Sequence, residues 1–344
     1  MSAPNIAIVT TLRDAGLVLD SFIQYHLAIG FDHLFLFFDE PNDPSLDIAR
    51  QYEAVTAIEN DESLRRQWEA SRLFALDSGL RRFVDQEVMG RQELNAGLAV
   101  QMADDKQIDW LLHIDVDELF YSPAQTPKEH FDSLSRRAVR QVTYVNYEAI
   151  PQRTDVSDYF KEIVLFKKAP QALTGGTFSA EQAEILRSIP KLPDNFFLFY
   201  GNGKSAARVS ADLLPAGVHK FRVEAGAPEA EISTDPIILH YACCGFEHFW
   251  RKYKTLGAFA DKWFDSIDIA QTGNVFHLEA RGVVSRNNRE AALEFYKERL
   301  VIDDAESIAR LVESGLCCFI EEPSRLLQSL YNAAGMPGPV LSGS

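Results

Sequence analysis

The sequence predicts an α/β protein built on a mainly parallel sheet that helices cover. Two observations support this class: apolar strand-like runs recur in the first third of the chain, and segments with helical spacing of apolar residues separate them. The chain has 344 residues, of which 46% are hydrophobic and 24% charged. Such a chain can bury a full core without disulfides or structural metals, and at ~150 residues per domain it corresponds to roughly two domains.

The first elements follow this pattern. Residues 6–11 form a short apolar strand, residues 19–27 place apolar side chains on one face of a helix, and Gly30 ends that helix. Residues 34–38 are predicted to form a second buried strand. The turn-forming residues at 39–44 follow it directly.

The next segments extend the alternation. A short helix at 45–53 and a third strand at 55–58 precede a long stretch, 64–102, that is predicted to be mostly helical. A fourth apolar strand at 110–114 runs directly into three carboxylates. Thr126 then begins another helix as the N-cap of a capping box, with proline in the first turn.

The pattern changes in the second half of the chain. Between residues 141 and 239, short strand candidates are separated by loops rich in Gly, Pro, Asn and Asp, which predicts antiparallel strands and long surface loops. Helical spacing returns from residue 245 to about 334. The tail at 335–344, rich in Gly, Pro and Ser, is predicted to be flexible.

The composition excludes several classes of function. The formal charge is −16, which disfavours binding to nucleic acid or docking on anionic lipid through a basic patch. We see neither a signal peptide nor an apolar run long enough to span a membrane. Four cysteines in two adjacent pairs, without zinc or redox spacing, are predicted to be buried reduced thiols of a cytoplasmic protein.

The clearest chemical motif follows the fourth strand. Alternation along the strand places Asp115 and Asp117 on the same side, and the carboxyl ends of parallel strands border the ligand crevice of such sheets. Two converging carboxylates suit Mg²⁺ or Mn²⁺, and the cation could in turn bind a diphosphate. The alternative interpretation is an ordinary acidic loop.

Two further motifs follow other strand candidates. His240 comes at the end of an apolar strand and could complete a carboxylate metal site, although a lone histidine there is more often part of the core. Gly201-Asn-Gly-Lys204 combines backbone freedom with a cation and could hold a phosphate. A hairpin with an exposed lysine fits that segment equally well.

Other common sites are not found in the sequence. There is no Gly-x-Gly-x-x-Gly fingerprint after the first strand and no P-loop spacing before Lys204. There is also no Gly-x-Ser-x-Gly nucleophile elbow. The cysteines lie in apolar surroundings, which disfavours a catalytic thiol.

Together the motifs resemble one family. The ordered pieces are Arg13 after the first strand, Phe22-Ile-Gln-Tyr-His-Leu-Ala-Ile-Gly-Phe-Asp-His33, Trp110-Leu-Leu-His-Ile-Asp-Val-Asp-Glu-Leu-Phe120, Gly203-Lys-Ser205 and His240-Tyr241 before Phe249 and Lys252. This order, across residues 5–260, resembles glycosyltransferase family 92 and its family-2-like relatives.

The resemblance implies a GT-A fold, which is Rossmann-like, with a mostly parallel central sheet and helices on both faces. It would cover residues 1–260 as one catalytic domain, with 261–334 as a helical C-terminal extension. The implied activity is a metal-dependent, inverting hexosyl transfer from a nucleotide sugar, preferably UDP-linked, to a glycan hydroxyl, as in polysaccharide biosynthesis. The implied cofactor is Mn²⁺ or Mg²⁺.

The resemblance also implies roles for individual residues. Asp115 would lie near the ribose or the metal, Asp117 would be the main metal ligand, and His240 would add a ligand or a diphosphate contact. Lys204 would neutralise donor phosphate. The remaining residues expected to bind the donor are Thr10, Thr11, Arg13, Asp39, Arg91, Gln92 and Asn95.

The catalytic base is the least defined part of the prediction. The candidates are Glu247, Asp155 and Glu148, in that order, and Glu247 could instead be a solvated residue in the first turn of a helix. The sequence departs from the family pattern at Asp14 and near 146–149, on the side expected to bind the acceptor. The alternative functions are a non-catalytic carbohydrate- or nucleotide-binding protein on the same fold and, less favoured, a metal-dependent phosphohydrolase.

Overall fold

The structure is a computed structural model, and it describes residues 3–16, 18–189, 192, 196–223, 230–257, 259–272 and 275–333. The tail at 335–344, which the sequence predicts to be flexible, lies outside the described residues. The strands are β1 (Ile6–Leu12), β2 (His33–Phe38), β3 (Val55–Glu59), β4 (Trp110–His113), β5 (Glu118–Tyr121), β6 (Gln141–Ala149), β7 (Leu165–Lys167), β8 (Lys204–Arg208), β9 (Leu213–Pro215), β10 (Phe221–Val223), β11 (Ala230–His240), β12 (Lys262–Trp263), β13 (Ile267–Asp268) and β14 (Cys317–Phe319).

Helices connect and cover these strands. They are α1 (Val18–Ala28), α2 (Leu46–Ala49), α3 (Glu62–Ala70), α4 (Arg72–Leu76), α5 (Ser78–Phe83), α6 (Val88–Asp105), α7 (Pro127–Arg136), α8 (Tyr159–Glu162), α9 (Ala180–Ser188), α10 (Phe246–Leu256), α11 (Val275–Ser285), α12 (Arg289–Arg299), α13 (Ala305–Glu313) and α14 (Glu322–Ala333). The predicted capping box of α7 is confirmed, with Thr126 and Glu129 each accepting from the other's backbone N–H.

The N-terminal half of the sheet is parallel. β3, β2, β1 and β4 lie side by side in this order, and every pairing among them is parallel. Ile6 and Ile8 pack on one face with α1, whereas Ala7 and Val9 pack on the other face with residues of α3 and α6. Both faces of β1 are therefore buried, as its continuous apolar sequence requires.

The remainder of the sheet is mixed. β8 pairs antiparallel with both β4 and β6, while β11 pairs parallel with β6 and antiparallel with β5. β7 and β14 extend the sheet beyond β6 with antiparallel pairings. The predicted α/β fold class is confirmed, as are the antiparallel strands expected after residue 141.

Two local predictions differ from the structure. The helical stretch expected at 64–102 is divided into α3, α4, α5 and α6, because Asp61, Ser71 and Asp77 each cap a new helix through a side-chain oxygen. No strand was predicted at 118–121, but these residues form β5 and pair with β11. The acidic residues before β5 obscure the apolar pattern by which this strand would be recognised in the sequence.

The C-terminal residues pack on the sheet as well as on each other. β14 pairs with β7 at the edge of the sheet, and α14 packs against α1 and α8. All four cysteines are free thiols, and Cys243, Cys244 and Cys317 are buried. No helix in the described part of the chain combines the length and apolar character needed to cross a membrane.

Candidate active site

Asp115 and Asp117 lie in the short loop that joins β4 to β5. This loop stands at the carboxyl end of a buried parallel strand, where open α/β sheets form their ligand crevice. Oδ2 of Asp115 accepts a hydrogen bond from Nζ of Lys204 at 2.6 Å. Oδ2 of Asp117 accepts one from Nζ of Lys252 at 3.0 Å. Each carboxylate of the motif therefore has a lysine of its own.

Lys204 begins β8, and its side chain is fully buried. The preceding residue, Gly203, has φ +74°, and a Cβ there would lie only 2.2 Å from the carbonyl oxygen of Tyr144. This close approach of two strands explains the glycine. Burial lowers the pKa of Lys204, but the charges of Asp115 and Glu118 outweigh it and raise the pKa overall. Lys204 is therefore a fixed cation at neutral pH.

Lys252 is the site residue to which the sequence analysis gave no role. It lies on α10, which begins soon after β11 ends, and its side chain is 32% exposed. Burial lowers the pKa of Lys252, but the charges of Asp117 and Asp115 and the hydrogen bond to Asp117 act together with Cys243 to raise the pKa overall. The sequence contained one indication of this position. Lys252 comes three residues after the buried Phe249, so it lies next to the buried face of α10.

His240 ends β11 and faces the second carboxylate of the motif. Its Nε2 lies 3.9 Å from Oδ2 of Asp117, and its ring packs 4.8 Å from the ring of Tyr200. Burial lowers the pKa of His240, so the imidazole is neutral at pH 7 and has a lone pair available for a ligand. The structure thus brings together Asp115, Asp117 and His240, as the sequence predicts.

Glu118 stabilises the Asp115–Asp117 loop through a hydrogen bond to the loop backbone. Its side chain is fully buried, and Oε2 accepts the backbone N–H of Asp115 at 2.6 Å. Burial raises the pKa of Glu118 well above its ordinary value, with the charges of Asp115 and Asp117 adding to the effect. The carboxyl group therefore holds a proton more firmly in the folded protein than in the unfolded chain.

Several buried polar atoms near this loop have no hydrogen-bond partner among the described residues. They are Oγ1 of Thr10, both ring nitrogens of His113, Oε1 of Glu118, the hydroxyl of Tyr200 and Nδ1 of His240. An unsatisfied buried polar group costs about 1–3 kcal/mol, and native proteins contain few of them. Two of these atoms, Oε1 of Glu118 and Nδ1 of His240, belong to residues that contact Asp115 and Asp117.

Three predicted donor-binding residues lie beside the motif. Nε2 of Gln92 donates to Oδ1 of Asp115 at 3.1 Å. Arg91 and Asp39 form a two-pronged ion pair, with Nη2 and Oδ2 separated by 2.8 Å. This pair borders a cavity of about 470 Å³ that Asn60 and Asp61 also line.

The other predicted donor-binding residues lie elsewhere. The hydroxyl of Thr11 accepts from Nδ2 of Asn95 at 2.9 Å, and Oδ1 of Asn95 accepts the indole N–H of Trp68 at 2.8 Å. Asn95 is 1% exposed, so its side-chain amide forms these hydrogen bonds within the protein core. Arg13 forms a surface ion pair with Glu40.

Two of the candidate bases share a second cavity. Asp155 and Glu247 are exposed and line a space of about 450 Å³ together with Arg289, which forms an ion pair with Glu247. Glu247 lies in the first turn of α10, the helix that carries Lys252. This second cavity is therefore linked to the Asp115–Asp117 loop through one rigid helix.

The third candidate, Glu148, has a different setting. It is 1% exposed and accepts from Nζ of Lys167 at 2.5 Å. It also accepts the backbone N–H groups of Leu198 and Phe199 at 3.0 and 3.1 Å. Both oxygens are occupied by these contacts, so the structure places Glu148 in a buried ion pair that holds the 198–199 segment against β6.

The side chains fit a divalent cation that shares its coordination with a phosphate. Within the described ranges, no three His, Cys, Asp or Glu side chains are close enough to form a complete metal cage. Mg²⁺ and similar hard cations are commonly held by one or two carboxylates plus substrate phosphates. Asp117 with the neutral His240 supplies such a partial set, and Nδ1 of His240 has no hydrogen-bond partner among the described residues.

The chain is similar in sequence to two proteins of Arabidopsis thaliana. It is 30% identical over 351 residues to glycosyltransferase-like At2g41451, with 98% of this chain and 75% of the relative covered. It is 27% identical over 350 residues to glycosyltransferase-like At3g57200, with 98% of this chain and 66% of the relative covered. The chain therefore spans about two thirds to three quarters of the length of these relatives. No protein-family model matches it.

Solved structures give weaker likenesses. Core-mannan synthase A from Aspergillus fumigatus aligns with a TM-score of 0.28 and 10% identity, covering 60% of this chain and 59% of that one. Mannosyl-3-phosphoglycerate synthase from Rubrobacter xylanophilus aligns with a TM-score of 0.29 and 14% identity, covering 60% and 54%. Likenesses of this size carry no argument about function. The sequence relationship does, and on its strength the chain belongs to the glycosyltransferase-like family.

Proposed function

We propose that the chain is a metal-dependent, inverting glycosyltransferase that moves a sugar from a nucleotide sugar to a glycan hydroxyl. One observation carries this proposal: Asp115, Asp117, Lys204, Lys252 and His240 converge at the end of a parallel strand. Membership of the glycosyltransferase-like family supports it. The sequence resemblance favours a UDP-linked donor.

The diphosphate of the donor would lie against the lysines. Lys204 and Lys252 present two cations in a largely buried setting, where they would stabilise the negative charge of the departing nucleoside diphosphate. Asp117 and His240 would hold Mn²⁺ or Mg²⁺, with Asp115 beside them. Such a cation supplies Lewis acidity and neutralises phosphate charge.

The nucleoside of the donor would extend along the carboxyl ends of the parallel strands, from the Asp115–Asp117 loop toward the end of β2. The 470 Å³ cavity there is bordered by the Asp39–Arg91 ion pair, and Arg91 keeps the Asp39 carboxylate in a fixed orientation. A carboxylate held in this way can accept hydrogen bonds from ribose hydroxyls or from a base N–H. Gln92 connects this region to Asp115 through its hydrogen bond.

The acceptor would approach from the side of α10. Inversion requires the hydroxyl to attack the face of the sugar opposite the leaving diphosphate, while a nearby carboxylate removes its proton. We propose Glu247 or Asp155 for this role, because both are exposed in the second cavity. Glu148 is not proposed, since its oxygens already accept from Lys167 and the backbone.

The test is a screen for nucleoside diphosphate release from UDP- and GDP-linked sugars, with and without Mn²⁺. We expect at least one donor to be hydrolysed or transferred in the presence of Mn²⁺, and Asp117→Ala to abolish this turnover. The matched control is Asp105→Ala, a change at an exposed residue at the end of α6. Unchanged turnover in Asp117→Ala would refute the assignment. Binding of Mn²⁺ and nucleoside diphosphate without turnover of any donor would favour the non-catalytic alternative.

A further inference from the structure

The two lysines of the site differ in their freedom to move. Nζ of Lys204 lies 2.6 Å from Asp115 and 3.7 Å from Glu118, and its side chain is fully enclosed. Lys252 reaches its partner, Asp117, from a helix surface at which its side chain is 32% exposed. A long lysine side chain with its stem partly in solvent can adopt other rotamers without disturbing the core.

The charges of the two pairs are balanced. Two carboxylates face two ammonium groups, with Nζ–Oδ2 distances of 2.6 Å for Lys204 and Asp115 and 3.0 Å for Lys252 and Asp117. A divalent cation that binds alone must displace Lys252 from Asp117, leaving the ammonium without its counter-charge. A diphosphate that binds alone must draw Lys252 from Asp117, leaving the carboxylate without its counter-charge. Either event leaves a charge unpaired, and the cost is greater for Asp117, whose side chain is only 18% exposed.

Binding of both ligands together removes this cost. The cation takes the place of Lys252 at Asp117, and Lys252 turns to a phosphate oxygen, so every charge keeps an opposite partner. A ligand shifts an equilibrium only by its differential affinity for the two states, and here each ligand favours the state in which Lys252 has left Asp117. The two ligands must therefore help each other to the same extent.

We propose that Lys252 is an exchangeable counter-ion of Asp117, which makes the binding of divalent cation and nucleoside diphosphate mutually dependent. The inference rests on the proposed function and adds a positioning residue to it. In the free protein Lys252 occupies Asp117 and keeps the affinity for metal low. In the loaded protein it contacts the diphosphate.

The experiment measures Mn²⁺ binding by the loss of the free-ion EPR signal, without nucleotide and with saturating UDP or GDP. For the unmodified protein we expect the nucleotide to tighten Mn²⁺ binding at least tenfold. Lys252→Met should bind Mn²⁺ alone at least tenfold more tightly than the unmodified protein, because Asp117 has lost its competing cation. In this variant the nucleotide should tighten Mn²⁺ binding by a factor at least about threefold smaller than in the unmodified protein, because the exchange of Lys252 is lost while the contact between cation and phosphate remains.

The control is Lys254→Met on the same helix. Lys254 lies over the ring of Trp250 and donates to Asn287, away from both carboxylates, so its loss should leave Mn²⁺ binding unchanged. If Lys252→Met is unstable, Lys252→Gln repeats the measurement with a neutral polar head group. An unchanged or weakened affinity of the Lys252 variant for Mn²⁺ alone would overturn the inference while leaving the proposed function intact. Failure of the unmodified protein to bind UDP or GDP with Mn²⁺ would overturn both.

Discussion

The pair formed by Lys204 and Asp115 provides a strong quantitative test of the site. Lys204→Met removes a fully buried ammonium that lies 2.6 Å from Asp115. Removing one partner of a buried ion pair costs about 3–5 kcal/mol, because the remaining charge has no counter-ion. Asp115 is 29% exposed and also accepts from Gln92, both of which reduce the penalty. We therefore expect a loss of about 3 kcal/mol in the free energy of unfolding.

Asp115→Asn completes a double-mutant cycle. In this variant the charge of Asp115 no longer raises the pKa of Glu118, so Glu118 can ionise and pair with Lys204 across 3.7 Å, and we expect a smaller loss of about 2 kcal/mol. The double variant contains neither charge, and its cost should fall short of the sum of the single costs by about 2 kcal/mol. Urea-induced unfolding, followed by tryptophan fluorescence, measures all four proteins. A cost below about 1 kcal/mol for Lys204→Met, or strictly additive costs, would refute this account of the pair.

Three further predictions concern the surroundings of the site. Gly203→Ala should lower the free energy of unfolding by at least about 2 kcal/mol more than Gly175→Ala does. Both glycines have positive φ, but only at Gly203 would a Cβ meet the carbonyl oxygen of Tyr144. Equal unfolding midpoints of the two variants would contradict this. Because the pKa of Glu118 is raised on folding, its stabilising contribution is complete below its unfolded pKa and is lost as the pH rises through the folded pKa. Glu118→Gln should therefore lose less stability than the unmodified protein between pH 5 and pH 8 in urea titrations. Asn95→Ala should cost about 2 kcal/mol by differential scanning calorimetry, since a buried indole N–H loses its acceptor; a near-neutral change would argue against the core role.

The parts of the fold that the sequence predicted have strong local signals. Mostly apolar runs identified β1, β2 and β4, because a strand buried on both faces has few polar positions. Thr126 and Glu129 identified the start of α7, because a capping box satisfies backbone groups within one turn. β5 had no such signal, since its pairing depends on a strand more than a hundred residues away.

The site, like the fold, could be predicted where the local sequence determines a residue's position, but not where the position depends on contacts between residues distant in sequence. Asp115 and His240 each follow an apolar strand, so their place at the crevice could be inferred from topology. The partner of each carboxylate could not, because Lys252 reaches Asp117 across 135 positions of sequence. The buried contact of Glu148 with Lys167 was hidden for the same reason, since nothing in the local pattern distinguishes an internal ion pair from a candidate base.

The most direct test of the central claim is a crystal structure of the protein with Mn²⁺ and UDP or GDP. We expect the cation to be bonded to Asp117 and to an oxygen of the diphosphate, beside the pair formed by Lys204 and Asp115. We also expect Lys252 to have moved from Asp117 to a phosphate oxygen. A nucleotide bound away from the β4–β5 loop, with both lysine–carboxylate pairs intact, would contradict the account.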